Sequence, residues 1–437
     1  MSAGWPAKQE LPPDTRPHAL VLHGLSRGAL IVFLPVFVAG QAIAWVTYAI
    51  SHWYRPWSWF KIGLAEALAS VRVAFTTADV STRRATHLPA LPHVGPAVLQ
   101  VAIGALTVAV VVLAYRAGRE QAAGLERRPL AAALAGSTVG LGFAIPMLVA
   151  GLPVDLTFPQ FDVRSLQPVL WQAFVFPLVV GAACGAVGGL ARARVVVEGS
   201  AWGARLARAA RGGFLAFWLA AALAFIGFLL VAVFEPNATG AYARWVDHAK
   251  GSGTVTIVQH ALLLPNQSVM IATTSMGAPT TFSIGTEPAA RLTLGGIEPV
   301  GNIGRALMAF VGAQAGEVTF PGWFRIFLLV PAIGTILGGR RAGTAAATLR
   351  EALVRGAIGG VVYAMLVAVG AWAASIVLPP WAGFFGGSIR LGVAAGTAAA
   401  LALLWGIAGG VAGAALARRW PERPSSAEVE LGLSGPR

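Results

Sequence analysis

The chain has 437 residues, of which 56% are hydrophobic and only 11% charged. A soluble domain carries about 25% charged residues, so this composition excludes a water-soluble globular protein. The single cysteine, Cys184, excludes an intrachain disulfide and a multi-cysteine metal site. The net charge of +14 comes mainly from arginines in short loops between apolar stretches. The positive-inside rule explains that pattern, so no nucleic-acid partner is predicted.

Eight apolar runs are close to the length of about 20 residues that crosses a bilayer. They are residues 29–50, 95–115, 129–151, 167–191, 213–234, 323–339, 355–378 and 390–417. The first run is too long for a signal peptide and lacks a small-residue cleavage site just after it. We therefore expect an all-α polytopic membrane protein with eight transmembrane helices.

The loop charges predict the orientation. Arginines are concentrated in loops 116–128, 192–212 and 340–355, whereas loops 152–166 and 379–389 contain one basic residue between them. Both termini are therefore predicted to be cytoplasmic. The high content of alanine, glycine and arginine is typical of a GC-rich bacterial genome. The lipid bilayer is then the first partner of the chain.

The two halves of the chain resemble each other. Arg116-Ala117-Gly118 closes the second run, and Arg341-Ala342-Gly343 closes the sixth run 225 positions later. Leu190-Ala191-Arg192 recurs as Leu416-Ala417-Arg418, 226 positions later. We interpret this spacing as a 4+4 parallel internal repeat. The predicted segments are a disordered terminus 1–26, a first repeat 27–194, a linker 195–210, a second repeat 211–420 with an outer insertion 235–322, and a disordered tail 421–437.

Glycines recur at helical spacing in the fourth and eighth runs, at Gly181, Gly185, Gly189, Gly409 and Gly413. Small residues on one helix face let another backbone approach closely. Tight packing inside the bundle is one interpretation. The other is an interface with a membrane-protein partner or with a second copy of the chain.

The outer segment after the first run is rich in aromatic residues, which favour the headgroup zone. Lys61, Glu66 and Arg72 follow these aromatics on a helix-like stretch that includes Ile62-Gly63. We interpret this stretch as an amphipathic helix lying on the outer leaflet; an aromatic ligand box is the alternative. A similar short amphipathic helix is predicted from Ile303-Gly304 onwards.

Residues that carry catalytic chemistry are not evident. No apolar run has a central Asp, Glu, Lys or His, which disfavours an ion-coupled carrier. Gly24 to Gly28 matches G-x-S-x-G but follows a polar tail instead of a strand. No catalytic residue, cofactor or metal site is therefore predicted. Five histidines are predicted outside, and a metal site there would require the two outer segments to meet: His52, His87, His93, His248 and His260.

Residues 253–276 form the most unusual stretch. Two short apolar arms flank the polar residues Asn266, Gln267 and Ser268. Each arm is too short to span a bilayer. A re-entrant hairpin would place these polar side chains in the bundle, where they could line a polar path or hold a headgroup. An outer helix on the rim of the bundle and a pair of strands are the alternatives.

The same region resembles a group of uncharacterised, permease-like multi-pass membrane proteins of actinobacteria. The resemblance rests on Leu264-Pro265-Asn266, on Phe282-Ser283-Ile284-Gly285-Thr286, and on Val330-Pro331 with Gly338-Gly339. It implies eight or nine spans in the plasma membrane and a role in the cell envelope. It implies no catalytic residues.

Two functions remain open on the sequence. In the first, the protein is a non-enzymatic scaffold that binds other membrane proteins through its outer insertion and glycine-rich faces. In the second, it is a permease or facilitator for an uncharged or lipid-like solute, and residues 253–276 line the path.

Overall fold

The computed structural model describes residues 17–49, 56–76, 98–158, 163–193, 201–235, 253–310, 318–344, 346–378 and 388–419. These residues are mainly helical. The helices are α1 (Pro17–Arg27), α2 (Leu34–Ala44), α3 (Pro56–Ala69), α4 (Gly104–Gln121), α5 (Pro129–Ser137), α6 (Val139–Gly151), α7 (Leu170–Arg192), α8 (Ala201–Phe234), α9 (Gly253–Leu262), α10 (Leu264–Ser275), α11 (Gly301–Phe310), α12 (Leu329–Gly343), α13 (Leu349–Ala374) and α14 (Ala395–Arg419).

Seven helical stretches within the described residues are long and apolar enough to cross a membrane. They are His18–Tyr48, Pro129–Gly151, Leu170–Arg192, Arg205–Phe234, Gly322–Gly343, Leu349–Ala374 and Ala395–Arg419. Each coincides with a predicted run. One predicted run, 95–115, has no counterpart among the seven. Its helix α4 begins only at Gly104 and carries Arg116, Arg119 and Glu120 near its end. The polytopic helical architecture is therefore confirmed, with α4 outside the group of seven.

Helix formation extends further into two predicted polar segments than the sequence indicated. Part of the predicted disordered terminus 1–26 is helical, because α1 begins at Pro17. This helix is fixed by tertiary contacts: the Gln121 side chain donates a hydrogen bond to the Leu20 carbonyl at 2.7 Å. Likewise α8 begins at Ala201, inside the predicted linker 195–210. Residues 1–16 and 420–437 lie outside the described part of the chain.

The chain divides into two compact units that differ from the predicted halves. The first contains residues 1–199, 240–266 and 376–390, and the second contains 200–239, 267–375 and 391–437. The predicted outer insertion 235–322 is thus shared between them. In the first unit, Val32, Val110, Phe143 and Met147 are fully buried in the core.

Glycine contacts hold the helices of the first unit together. A Cβ added at Gly181 would lie 2.9 Å from the Gly140 Cα, and one at Gly185 would meet the Gly136 carbonyl oxygen. Gly189 likewise faces the Ala132 carbonyl. The predicted small-residue face of α7 therefore packs on α5 and α6 of the same unit.

The second unit uses the same kind of contact. A Cβ at Gly409 would meet the Thr335 side chain, and one at Gly413 would meet the Ile336 carbonyl, both on α12. Gly410 faces the Gly356 carbonyl on α13. The glycines predicted as packing residues on α14 are thus also used inside their own unit.

Short strands occupy the connections between helices, which the all-α expectation did not include. The strands are β1 (Phe75–Thr76), β2 (Val98–Leu99), β3 (Leu156–Phe158), β4 (Val163–Pro168), β5 (Thr280–Ile284), β6 (Glu287–Leu292), β7 (Gly296–Pro299), β8 (Val318–Thr319), β9 (Ile376–Leu378) and β10 (Ile389–Val393). In the first unit the order is β2-β1-β4-β3, and in the second β5 to β8 pair antiparallel in sequence. Gly285 has a φ of 65° at the β5–β6 turn, a conformation that glycine adopts without a Cβ penalty.

Candidate functional site

The candidate site is a buried polar cluster in the first unit, built on α3. This helix is not one of the seven membrane-length helices. It docks on α2 where Gly40 faces the Gly63 carbonyl, and the Gln41 side chain donates to the Phe60 carbonyl at 3.1 Å. Leu64 and Leu68 of α3 are buried, whereas Trp57 near its start is exposed.

Glu66 lies on this docked helix and is only 8% exposed. Gln259 of α9 donates a hydrogen bond from Nε2 to Glu66 Oε1 at 2.7 Å. Burial raises the pKa of the Glu66 carboxyl from 4.5 to about 7, and the Gln259 hydrogen bond partly offsets that rise. This carboxyl can therefore gain or lose a proton close to neutral pH.

The turn that follows α3 is strained and polar. Arg72 has a φ of 63°, which is uncommon for a residue with a side chain, and it is 5% exposed. Burial lowers the pKa of the Arg72 guanidinium to about 10. The Gln100 side chain donates to the Arg72 carbonyl at 3.2 Å, and the Thr107 hydroxyl donates to the Ser70 carbonyl at 2.7 Å. Residues with such a strained backbone conformation are frequent at functional sites.

Asn266, one of the predicted polar residues, reaches the same region of the first unit. It is 3% exposed and donates from Nδ2 to the Ala102 carbonyl at 2.9 Å, immediately before α4. Gly104 leaves room for this side chain, because a Cβ there would meet Asn266 Oδ1. The amide of Ile103 bonds the Ala69 carbonyl at 3.2 Å, so the ends of α3 and α4 meet beside Asn266.

Gln267 and Ser268 belong to the second unit, so the structure divides the predicted polar tip. Residues 253–276 form α9 and α10, which are separated at Leu263. The strand-pair alternative for this stretch is therefore wrong. The two helical alternatives, re-entrant and peripheral, differ only in their depth in a membrane.

Further along α10, hydroxyl side chains are buried but satisfied inside the second unit. The Thr274 and Thr280 hydroxyls are 2.9 Å apart, and Thr273 bonds the Val269 carbonyl of its own helix at 2.9 Å. Such bonds satisfy buried hydroxyl groups without a ligand. We therefore assign these residues a structural role.

One interpretation of the sequence changes at this site. An amphipathic helix on the outer leaflet would expose its polar face, but Glu66 and Arg72 are buried. Hydropathy does not mark Glu66 as buried, because α3 is too short to be a membrane span. A usable signal was present: Glu66 is the only acidic residue between positions 15 and 78, and Ala65 and Ala67 flank it.

The histidines predicted to lie outside add little to this cluster. Burial lowers the pKa of His260 in α9, so its imidazole is neutral at neutral pH. The other four outer histidines lie outside the described residues. Within the described ranges, no group of three or more His, Cys, Asp or Glu residues could hold a metal ion.

The helices and their composition define a multi-pass helical membrane protein. No family model, curated protein or solved structure matches the chain.

Proposed function

We propose that the protein is a permease or facilitator of a bacterial plasma membrane, and that Glu66 forms part of its solute path. The observation that carries this proposal is the buried Glu66 carboxyl bonded to Gln259. Burying an ionisable group is costly, so such groups mark binding sites and pathways more often than packing positions. A pKa near 7 adds to this argument, because perturbed values cluster at functional sites.

The chemistry of the cluster suits an uncharged polar solute. A solute hydroxyl or amide N–H can replace the Gln259 N–H as the donor to Glu66, because both present one hydrogen to the same oxygen. When Glu66 is protonated, it can instead donate to a solute oxygen. Binding is then an exchange of one hydrogen bond for another, which keeps the barrier to release low.

The scaffold alternative is less well supported. It depends on glycine-rich faces that remain free for a partner. Gly181, Gly185 and Gly189 instead face backbone of α5 and α6, and Gly413 faces backbone of α12. These surfaces are used within each unit, so the outer insertion is the remaining candidate partner surface.

The proposed topology has eight spans, which are the seven membrane-length helices and α4. Both termini are cytoplasmic, and the spans form two parallel four-helix repeats. Equivalent glycine contacts support the repeat. Gly118 faces Gly185 in the first unit, and Gly339 faces Gly410 in the second. Gly339 lies 221 positions after Gly118, and Gly410 lies 225 positions after Gly185. Gly188 faces the Tyr115 carbonyl, as Gly413 faces the Ile336 carbonyl at the same two offsets. These contacts align α4 with α12 at a spacing of 221 residues. That is one helical turn less than the 225-residue spacing of the sequence motif.

Flux through proteoliposomes tests the function. Purified protein is reconstituted, and solute entry after a hyperosmotic shock is followed by light scattering with glycerol, urea and erythritol. We expect the native protein to accelerate entry of at least one solute. Glu66→Gln should lose this acceleration, because the amide cannot cycle between acceptor-only and donor states.

Glu298→Gln is the matched control, since Glu298 is an exposed carboxylate on β7. It should retain native flux. Rates equal to those of empty liposomes, or equal rates for native protein and Glu66→Gln, would contradict the proposal. Gel filtration of every variant checks folding. Asn266 is a weaker test position, because its bond to the Ala102 carbonyl makes it part of the packing.

A further inference from the structure

A basic cleft lies at the ends of three helices of the first unit. None of its lining residues belongs to the Glu66 cluster. Its volume is about 460 Å³. The residues that line it come from the C-terminal ends of α1, α4 and α7 and from the turn that follows α4. They are Arg27, Arg116, Arg119, Glu120, Ala123 and Arg192.

Glycine packing is what concentrates these charges. A Cβ at Gly188 of α7 would meet the Tyr115 carbonyl of α4 and would lie 2.9 Å from the Arg119 amide nitrogen. The two backbones therefore touch one turn before Arg192. This contact holds Arg119 and Arg192 at the same end of the unit, although like charges repel.

The acidic residues nearby balance only part of this charge. Arg116 Nε pairs with Glu120 at 3.2 Å, and Arg192 Nε pairs with Glu126 at 2.8 Å. Both pairs are solvent-exposed, so each is weak and leaves the other guanidinium donors available. Among the described residues, none forms a hydrogen bond or ion pair with the side chains of Arg27 or Arg119.

The second unit shows that arginines at helix ends need not remain open. There, Arg205 and Arg355 share the Glu351 carboxylate at 2.9 and 2.6 Å. Arg418 donates to the Ala346 carbonyl at 2.9 Å. Each of these three arginines therefore has at least one partner within the protein, although Arg355 Nε has none among the described residues. Arg27 and Arg119 of the first unit differ from these three in having no such partner among the described residues.

We propose that this cleft binds a phosphate-bearing anion, with Arg27 and Arg119 as its main ligands. The planar guanidinium presents paired N–H donors that match phosphate oxygens. The cleft volume lies within the range of small-ligand sites. Basic pockets between membrane helices on the cytoplasmic side are typical sites for anionic lipid headgroups.

The surroundings favour a lipid as the source of the phosphate. Leu30 lies one turn beyond Arg27, and Leu190 lies two residues before Arg192; both are exposed. A headgroup in the cleft would leave its acyl chains beside such apolar side chains. A free phosphate or a soluble phosphorylated compound would use the same arginines without the apolar contacts.

Binding is measured on the full-length protein in detergent with three probes: phosphatidylglycerol, phosphatidylcholine and inorganic phosphate. Native mass spectrometry counts retained lipid, and thermal unfolding reports stabilisation by each probe. We expect phosphatidylglycerol to bind and phosphatidylcholine not to. In Arg27→Gln/Arg119→Gln, phosphatidylglycerol affinity should fall about tenfold or more, because two charged hydrogen-bond donors are lost.

Arg127→Gln/Arg128→Gln is the matched control. It removes the same charge from exposed positions that do not line the cleft, and it should bind as the native protein does. Stabilisation by inorganic phosphate that is lost only in the cleft variant would assign the site to a soluble anion. Equal losses in both double variants, or no binding of either anion, would overturn the proposal. The single variant Arg119→Gln replaces the cleft variant if that variant does not fold.

Discussion

At the residue scale, the most informative group is Glu66, because its environment contradicts its position in the sequence. A glutamate in a short polar-aromatic segment is ordinarily exposed. Here it is buried between α3 and α9 and receives a hydrogen bond from Gln259. The bond satisfies one oxygen but does not replace bulk hydration of a carboxylate. The pKa of Glu66 therefore rises to about 7.

This pKa shift predicts how stability depends on pH. The folded carboxyl holds its proton up to about pH 7, whereas the unfolded one releases it near 4.5. Between these values the folded state binds more protons, so its free energy of unfolding falls as pH rises and then levels off above 7. At pH 8 Glu66→Gln removes this penalty, which is about 3 kcal/mol.

We therefore expect Glu66→Gln to unfold at a higher temperature than the native protein at pH 8. At pH 4.5, where Glu66 keeps its proton when folded, the two should be nearly equal. Tryptophan fluorescence during heating in detergent measures both. Glu298→Gln should match the native protein at both pH values, since that carboxylate is exposed. A stabilisation of the same size at pH 4.5 and pH 8 would show that ionisation is not its cause.

At the scale of elements, glycines decide which helices pack together. On α14, Gly410 faces the Gly356 carbonyl, and nothing lies within 4 Å of a Cβ placed at Gly396. The two positions have the same residue type on the same helix but opposite surroundings. Substitution by alanine should therefore change stability differently at the two positions, because their contacts differ and the helix propensity of the residues does not.

Gly410→Ala should destabilise the protein by about 1–3 kcal/mol, because the new methyl group overlaps a backbone carbonyl that cannot move freely. Gly396→Ala should be neutral or stabilise by up to about 1 kcal/mol, since alanine is the better helix former. Thermal unfolding of both variants measures the difference. If the two variants unfold at the same temperature, the close packing of α13 and α14 is not what stabilises the second unit.

At the scale of the whole molecule, the proposed topology makes a prediction about accessibility. Loops 116–128 and 340–355 should be cytoplasmic, and the β5–β6 turn should be outside. Suitable probe positions are exposed ones: Arg127 and Ala347 for the inside and Thr286 for the outside. Ala122 and Ala346 are unsuitable, because both are buried and would be unreactive on either side.

Each probe is a single cysteine in a Cys184→Ser background, treated with an impermeant thiol reagent. In intact cells, Thr286→Cys should react, and Arg127→Cys and Ala347→Cys should react only after permeabilisation. Labelling of Arg127→Cys or Ala347→Cys in intact cells would contradict the eight-span topology. Absence of labelling at Thr286→Cys would place the β5–β6 turn inside.

The sequence by itself determined the class of the protein and the positions of its apolar helices. Hydropathy is a local sum over about 20 neighbouring residues, so it needs no knowledge of the fold. Small-residue spacing on α7 and α14 was also readable locally, because helical periodicity alone places those glycines on one face. The run 95–115 was predicted on the same grounds, but the helix α4 ends in charged residues and is not one of the seven membrane-length helices.

Tertiary structure alone decided which polar groups are buried and which charges are gathered. Glu66 meets Gln259 across 193 positions, and Asn266 meets Ala102 across 164. Arg119 and Arg192 lie in one cleft because Gly188 brings the ends of α4 and α7 together, and Arg27 of α1 lines the same cleft. Burial of a polar group is a property of its distant neighbours, and a single sequence does not specify those neighbours. For that reason the apolar helices could be predicted from the sequence, whereas the candidate sites could not.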